Sequence, residues 1–327
     1  EHCLNIVMHH IITDALSDQI FITEIMNSYR EYSEKGRLPE RRSLEIQYKE
    51  YAYWHKKVLE NNAKSGKEFW LNNLSGENLT LDLPYDSPEN VANHFPKTGV
   101  VNTTLPIETF NLVSKISAEN GATLFMTMLA SVNTLMSWYT GDNTFSIGTP
   151  ISGRNHSKLK DQIGFYLNML PIKVSISEEQ NFLAVLKETM RATLDSFQYS
   201  EYPYNLMVSD LRTYSGYENN QLFNVGFTWD ESGVHQMNND LGGLEIEIYG
   251  KKSNTLKSDL WFEMKRVDSE VNLNIIYNAD LFDEQTILEM KDFYLKFLEQ
   301  LDMNLIRPIC EIETENAQIA FDDTVNF

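Results

Sequence analysis

Two adjacent imidazoles and a carboxylate four residues further on, in His9-His10-Ile11-Ile12-Thr13-Asp14-Ala15, are the densest group of chemically able side chains in this sequence. An imidazole, with an ordinary pKa of about 6.5, exchanges protons near neutral pH and can orient or deprotonate a nucleophile. Spacing alone leaves a blander reading open, a solvated strand end that happens to carry two histidines. A metal site is a weaker reading still. His10 and Asp14 would face one side of a helix, but no third ligand follows at a recognisable spacing, so none is assigned. Other catalytic templates are absent: there is no Gly-x-Ser-x-Gly elbow, no Walker loop and no Gly-x-Gly-x-x-Gly, and neither Cys3 nor Cys310 sits in a nucleophile or zinc signature.

The elements around the histidines must present them. Residues 4–9 read as a buried strand running into a loop at His9-His10, after which Leu16, Ile20, Ile25, Met26 and Tyr29 recur at helical spacing. A second helix is predicted over 43–60 with Ser43 as N-cap, and a third, short one ends near Leu74. Residues 75–97 collect Gly, Asn, Asp and Ser with Pro84, Pro88 and Pro96, the composition of a connection, and a domain boundary is expected there. Beyond it the pattern gives a strand over 100–105, a helix between Pro106 and Gly121, and a strongly apolar helix over 123–139. Strands at 145–151 and 166–176 and helices at 181–197 and 203–211 follow. Strands near 221–229, 244–250, 258–267 and 271–278 lead to a last helix at 283–300 with Asp283 as N-cap. Mixed strands and helices make the chain α/β or α+β.

Composition narrows the partners. The 327 residues carry 27 Lys and Arg against 47 Asp and Glu, a net charge of −20, which opposes binding to nucleic-acid phosphates or to an anionic membrane surface. No apolar run approaches the roughly 18 residues that span a bilayer. Two distant cysteines without a pairing pattern make a reducing, cytoplasmic setting the default. Met126, Met128 and Met136 in the apolar helix read as core fillers. The chain starts at Glu1 and runs at once into apolar residues, as if cut from something longer.

Several stretches, in order, resemble one family. His9 to Ala15 is similar to the H-H-x-x-x-D-G motif of condensation domains from non-ribosomal peptide synthetases, with Ala15 in place of the glycine. Tyr48-Lys49-Glu50-Tyr51-Ala52-Tyr53-Trp54 resembles that family's Y-x-D-Y-A-x-W helix, with Glu50 in place of Asp. Gly148 to Arg154 resembles its G-x-P-x-x-G-R segment, and Ile163-Gly164-Phe165-Tyr166-Leu167-Asn168 its I-G-x-F-V-N segment. Tyr202-Pro203-Tyr204 is loosely similar to its P-F-E stretch, and Gln221 to Val225 to its P-L-F-x-V strand. The resemblance extends to about residue 312. Beyond it, Phe321-Asp322-Asp323-Thr324 resembles the linker into an adenylation domain.

The resemblance implies a two-lobed chloramphenicol-acetyltransferase-like α/β fold with mixed sheets, its first lobe truncated. Residues 1–78 would be the remainder of that lobe, 79–312 the C-terminal lobe and 313–327 the start of the linker. It implies amide-bond formation between an upstream carrier-bound acyl or peptidyl thioester and the amine of a downstream aminoacyl thioester. Both substrates would ride on phosphopantetheine arms of peptidyl carrier proteins, with no cofactor bound directly. His10 would orient the amine or accept its proton. His9, Asp14, Ala15 and Arg154 would support it, with an ion pair between Asp14 and Arg154. Ser17, Gly164 and Asn168 are candidates to line the substrate tunnel. An epimerisation domain, and a non-catalytic domain that recruits or gates carrier proteins, are the alternatives. The family's first lobe begins upstream of its histidine motif, so the fragment alone is expected to be poorly active.

Overall fold

The computed structural model describes residues 2–40, 43–76, 78–90, 96–219, 221–231, 258–267 and 270–312. The apolar run after Ala122 folds as helix α4 (Leu124–Thr140), and Met126 to Ser137 are all buried in it. Its ends are written locally. The Thr123 hydroxyl accepts the Met126 N–H at 3.2 Å, and Gly141, at φ 74°, takes the left-handed turn that ends the helix.

The sheet it covers has six strands in the order β1-β6-β5-β4-β2-β3. These are β1 (Thr98–Leu105), β2 (Thr144–Ile151), β3 (Asn168–Ser175), β4 (Val225–Asp230), β5 (Leu260–Val267) and β6 (Glu270–Asn278). The β5–β4 and β4–β2 pairs are parallel and the others antiparallel, so the sheet is mixed. Alternate residues of β5 and β6 are buried, as period-2 side chains over a helical layer require. Helices α3 (Ile107–Glu119), α4, α5 (Phe182–Gln198) and α7 (Glu284–Glu299) supply that layer. Phe262 meets Tyr294 of α7 at 6.0 Å between ring centroids, and Trp138 of α4 stacks on Phe293 at 4.0 Å. Helices α6 (Tyr204–Ser215) and α8 (Leu301–Asn304) complete this part of the fold.

Before the sheet lie α1 (Ala15–Lys35) and α2 (Tyr48–Leu74). Several expectations change here. Residues 4–9 form no strand: among the described residues the segment has no hydrogen-bonded neighbour strand, and Leu4 and Val7 are exposed. The two helices expected over 43–74 are one 27-residue helix, and Gln47, not Ser43, is its N-cap, in a capping box with Glu50. Asp283 does precede α7, without a side-chain capping bond. The strand expected from residue 166 starts at Asn168, and the one expected from 221 starts at Val225. Within the stretch expected as a connection, residues 79–83 are packed, for Leu79, Leu81 and Leu83 are buried and the Asn224 side chain brackets the Leu81 backbone at 2.9 Å on both sides. The strand expected at 244–250 and the linker at 313–327 lie outside the described residues.

Candidate active site

Asp14 is the N-cap of α1, with extended backbone, and its Oδ1 accepts the Ser17 N–H at 2.8 Å. That fixes the end of the histidine loop, because the cap locks the residue directly after Thr13. The loop itself is a tight turn: the Ile12 N–H donates to the His9 carbonyl at 3.1 Å, and the Ile11 N–H to His9 Nδ1 at 3.1 Å. His9 is therefore engaged in holding the turn. His10 Nδ1 lies 2.6 Å from the Thr13 carbonyl. A carbonyl only accepts, so Nδ1 carries a proton, and among the described residues no hydrogen-bond partner stands at Nε2.

Arg154, just past β2, reaches Asp14. Its Nη2 lies 3.1 Å from Asp14 Oδ1 and 2.7 Å from Ser17 Oγ, while Nη1 donates to the carbonyls of Leu159 at 2.6 Å and Gln162 at 2.7 Å. Its guanidinium also sits 4.1 Å over the Tyr166 ring. Both partners are buried, with side chains only 4% exposed, so the ion pair expected between Asp14 and Arg154 is present and shielded from water. Burial by itself pushes the Asp14 carboxyl up. Hydrogen bonds from the Ser17 N–H, the Tyr166 N–H at 3.1 Å and Arg154 outweigh it and hold the carboxyl below its ordinary value. Asp14 is thus a charged, buried carboxylate whose two oxygens accept three N–H groups, from Ser17, Arg154 and Tyr166.

Glycines make the anchor possible. Gly153 has φ +62°, and a Cβ there would stand 2.1 Å from the Tyr166 carbonyl oxygen, so the loop that delivers Arg154 needs glycine for both conformation and space. Gly164 is gripped by Ser17, whose Oγ donates to the Gly164 carbonyl at 2.8 Å and accepts its N–H at 3.0 Å. The tunnel candidates Ser17 and Gly164 therefore both belong to this buried network. Asn168 is similarly occupied: its amide donates to the carbonyls of Ser200 at 2.8 Å and Tyr202 at 2.9 Å and accepts the Tyr204 N–H at 3.0 Å, tying β3 to the start of α6. Ala15 is exposed, as the first residue of α1.

A cleft of about 510 Å³ opens beside this network, lined among others by Tyr48, Tyr51 and Trp54 of α2, Phe165, Tyr166 and Asn168. Tyr51 packs at 4.5 Å on Tyr166, and burial pushes both phenols up to about 12, so they stay neutral hydroxyls at working pH. His10 does not line the cleft but touches its wall, with its ring 5.5 Å from that of Phe165 in an edge-to-face contact. Sequence reasoning missed the roles of Tyr48, Phe165 and the Thr13 carbonyl. The first was visible as an aromatic within a periodic helix. A backbone carbonyl leaves no signature in residue type.

The condensation-domain family model matches residues 1–318. Tyrocidine synthase 2 of Brevibacillus parabrevis is 31% identical over 333 residues, covering 99% of this chain and 9% of that protein. Surfactin synthase subunit 1 of Bacillus subtilis (strain 168) is 28% identical over 313 residues, covering 95% of this chain and 8% of the other. The chain thus spans under a tenth of the length of these curated relatives. Among solved structures, the X-domain from teicoplanin biosynthesis superposes with a TM-score of 0.82 at 22% identity, covering 94% of this chain and 70% of that one. The first condensation domain of the calcium-dependent antibiotic synthetase, in complex with a substrate analogue, does so at 0.73 and 16%, covering 93% and 67%. The motifs run in the family's order, the fold is shared and the family model spans nearly the whole sequence: the chain belongs to the condensation-domain family of non-ribosomal peptide synthetases, with its chloramphenicol-acetyltransferase-like α/β architecture.

Proposed function

We propose that the chain catalyses amide-bond formation between two carrier-bound thioesters, with His10 as the catalytic residue. The amine of the downstream aminoacyl thioester attacks the carbonyl of the upstream acyl or peptidyl thioester. A C–N bond forms, the C–S bond breaks, the thiol returns to the upstream phosphopantetheine arm, and the amine gives up a proton. The thioester is already activated, so no acyl-enzyme is needed. The observation that carries the reading is the His10 ring, with Nδ1 committed to the Thr13 carbonyl and Nε2 without a partner among the described residues, on a loop anchored by a buried ion pair. Such a nitrogen can accept a hydrogen bond from the amine and take its proton as the C–N bond forms. Holding two tethered substrates in line contributes the rest, on the order of 7–11 kcal/mol where the geometry is good.

On this reading Asp14, Arg154, Ser17 and Gly164 position the loop rather than touch substrate, and His9 holds its turn. The partners are an upstream donor and a downstream acceptor carrier protein, with an adenylation domain after residue 327 in the same polypeptide. Residues 1–78 and 79–312 act as two lobes, joined at the site by the Asp14–Arg154 pair. Among the described residues no helix is long and apolar enough to cross a membrane.

The test presents loaded donor and acceptor carrier proteins to the domain in its full-length polypeptide, and follows dipeptidyl-carrier formation by intact-protein mass. Product from the wild type and none from His10→Ala is the expected result. Equal product from both discards His10. No product from either turns the assignment to epimerisation, which α-deuterium uptake would reveal, or to a recruiting domain. Another fold neighbour, the X-domain from teicoplanin biosynthesis, is known in complex with OxyB.

A further inference from the structure

A catalytic imidazole on an exposed turn has to be confined, because a freely rotating side chain spends most of its time out of line with the substrate. His10 is such a residue. Its ring is held by two contacts among the described residues, the Thr13 carbonyl at Nδ1 and the ring of Phe165. The centroid distance of 5.5 Å and the interplanar angle of 86° are those of a favourable edge-to-face pair. Phe165 is itself 37% exposed, so core packing does not decide where its ring stands. Its backbone does. Three consecutive residues of that loop are each gripped by a different side chain: Gly164 by the Ser17 hydroxyl, Phe165 by the Tyr48 hydroxyl, which donates to its carbonyl at 2.8 Å, and Tyr166 by the Asp14 carboxylate.

Ser17 and Asp14 belong to the start of α1, the element that also ends the histidine loop. Tyr48 is the outside anchor, from the first turn of α2. Its ring takes the space a side chain at position 164 would need, since a Cβ there would lie 2.2 Å from Tyr48 Cδ2. It also packs edge-to-face on Tyr166 at 5.1 Å. Burial raises the Tyr48 phenol above its ordinary value, so the hydroxyl remains a donor throughout the working range.

We propose that Tyr48 and Phe165 are positioning residues for His10: Tyr48 fixes the Phe165 backbone, and the Phe165 ring closes one side of the imidazole so that Nε2 is presented in a single direction. The inference rests on the condensation reading for its consequence in rate, but its geometry can be read without any turnover. The experiment records the ring signals of isotopically labelled histidine in the full chain, assigns His10 by the signal lost in His10→Gln, and compares Phe165→Leu, Phe165→Tyr and Tyr48→Phe. Tyr48→Phe keeps the ring against Gly164 and removes only the hydroxyl, so it tests the relay without emptying a site.

The expected result is a displaced and broadened His10 signal in Phe165→Leu, a smaller displacement in Tyr48→Phe, and a signal close to wild type in Phe165→Tyr, which restores the ring. In the carrier-protein assay kcat should fall about 10- to 100-fold in Phe165→Leu while KM for the acceptor carrier stays unchanged, the penalty for a misaligned group. A His10 signal in Phe165→Leu that superposes on wild type overturns the proposal, as does a kcat equal to wild type in an active domain. A wild type that makes no amide, with His10 signals that respond as expected, sinks the condensation reading and leaves the positioning role standing.

Discussion

Asp14 and Arg154 carry opposite charges in a place where water does not reach, and that fixes what their loss would do. Removing one member of a buried pair leaves the other uncompensated, a cost of about 3–5 kcal/mol. Asp14→Asn keeps the shape of the cap and removes the charge, so urea unfolding at neutral pH should give a loss of that order. Arg154→Lys should recover little of the loss seen in Arg154→Ala. A lysine cannot span the Asp14 carboxylate, the Ser17 hydroxyl and the carbonyls of Leu159 and Gln162 as the planar guanidinium does. The pH dependence has a definite sign. The Asp14 carboxyl is depressed in the folded state, so its contribution is complete above the unfolded value of about 3.9 and is lost as pH falls through the folded value. The stability gap between wild type and Asp14→Asn should therefore be widest at neutral pH and narrow steadily in acid. A gap that stays constant from pH 7 to well below 3.9 would mean the pair is not the anchor it looks to be.

At the scale of elements, what could be read in the sequence was what is written locally. Helix α4 ends where Thr123 and Gly141 say it should, because a capping hydroxyl and a left-handed glycine act within one turn. The motif histidines, Asp14 and Arg154 were legible through the family resemblance, whose motifs contain them; types and spacing alone left a solvated strand end open for the histidines. The unity of α2 was not. Asn61 to Lys67 lacks apolar periodicity and Ser65-Gly66 reads as a breaker, yet Gly66 lies in mid-helix because Tyr202 packs there, 2.9 Å from where a Cβ would be. Strand 4–9 failed for a complementary reason: its apolar residues suit a sheet, but a strand exists only where another pairs with it. Gly164 is the element-scale test of the site. Gly164→Ala drives a methyl into the Tyr48 ring, and overpacking of this kind costs about 1–3 kcal/mol. Tyr48→Leu in the same chain should relieve part of it, giving a coupling above about 0.5 kcal/mol in a double-mutant cycle of urea midpoints. Additive losses would show that the loop and α2 do not meet as described.

Across the whole molecule two forces oppose each other. A net charge of −20 keeps copies apart, while Leu4, Val7, Ile11 and Ile12 are exposed at 69%, 88%, 69% and 57%, and Tyr29 and Tyr32 of α1 add to the apolar surface. Apolar surface attracts regardless of ionic strength, whereas charge repulsion between exposed groups is screened over about 10 Å at 0.1 M salt and over about 3 Å at 1 M. Salt therefore decides the balance. The weight-average mass of the chain, measured by light scattering, should rise between about 0.05 M and 1 M sodium chloride, and binding of an apolar dye should be evident at both. Replacing Leu4 and Val7 by Glu removes part of the apolar surface from a segment that has no hydrogen-bonded strand neighbour among the described residues. That variant should lose most of the rise in mass and part of the dye signal, with its urea midpoint unchanged. A mass that falls with salt would point instead to association through charged contacts and would remove the apolar segment from the account.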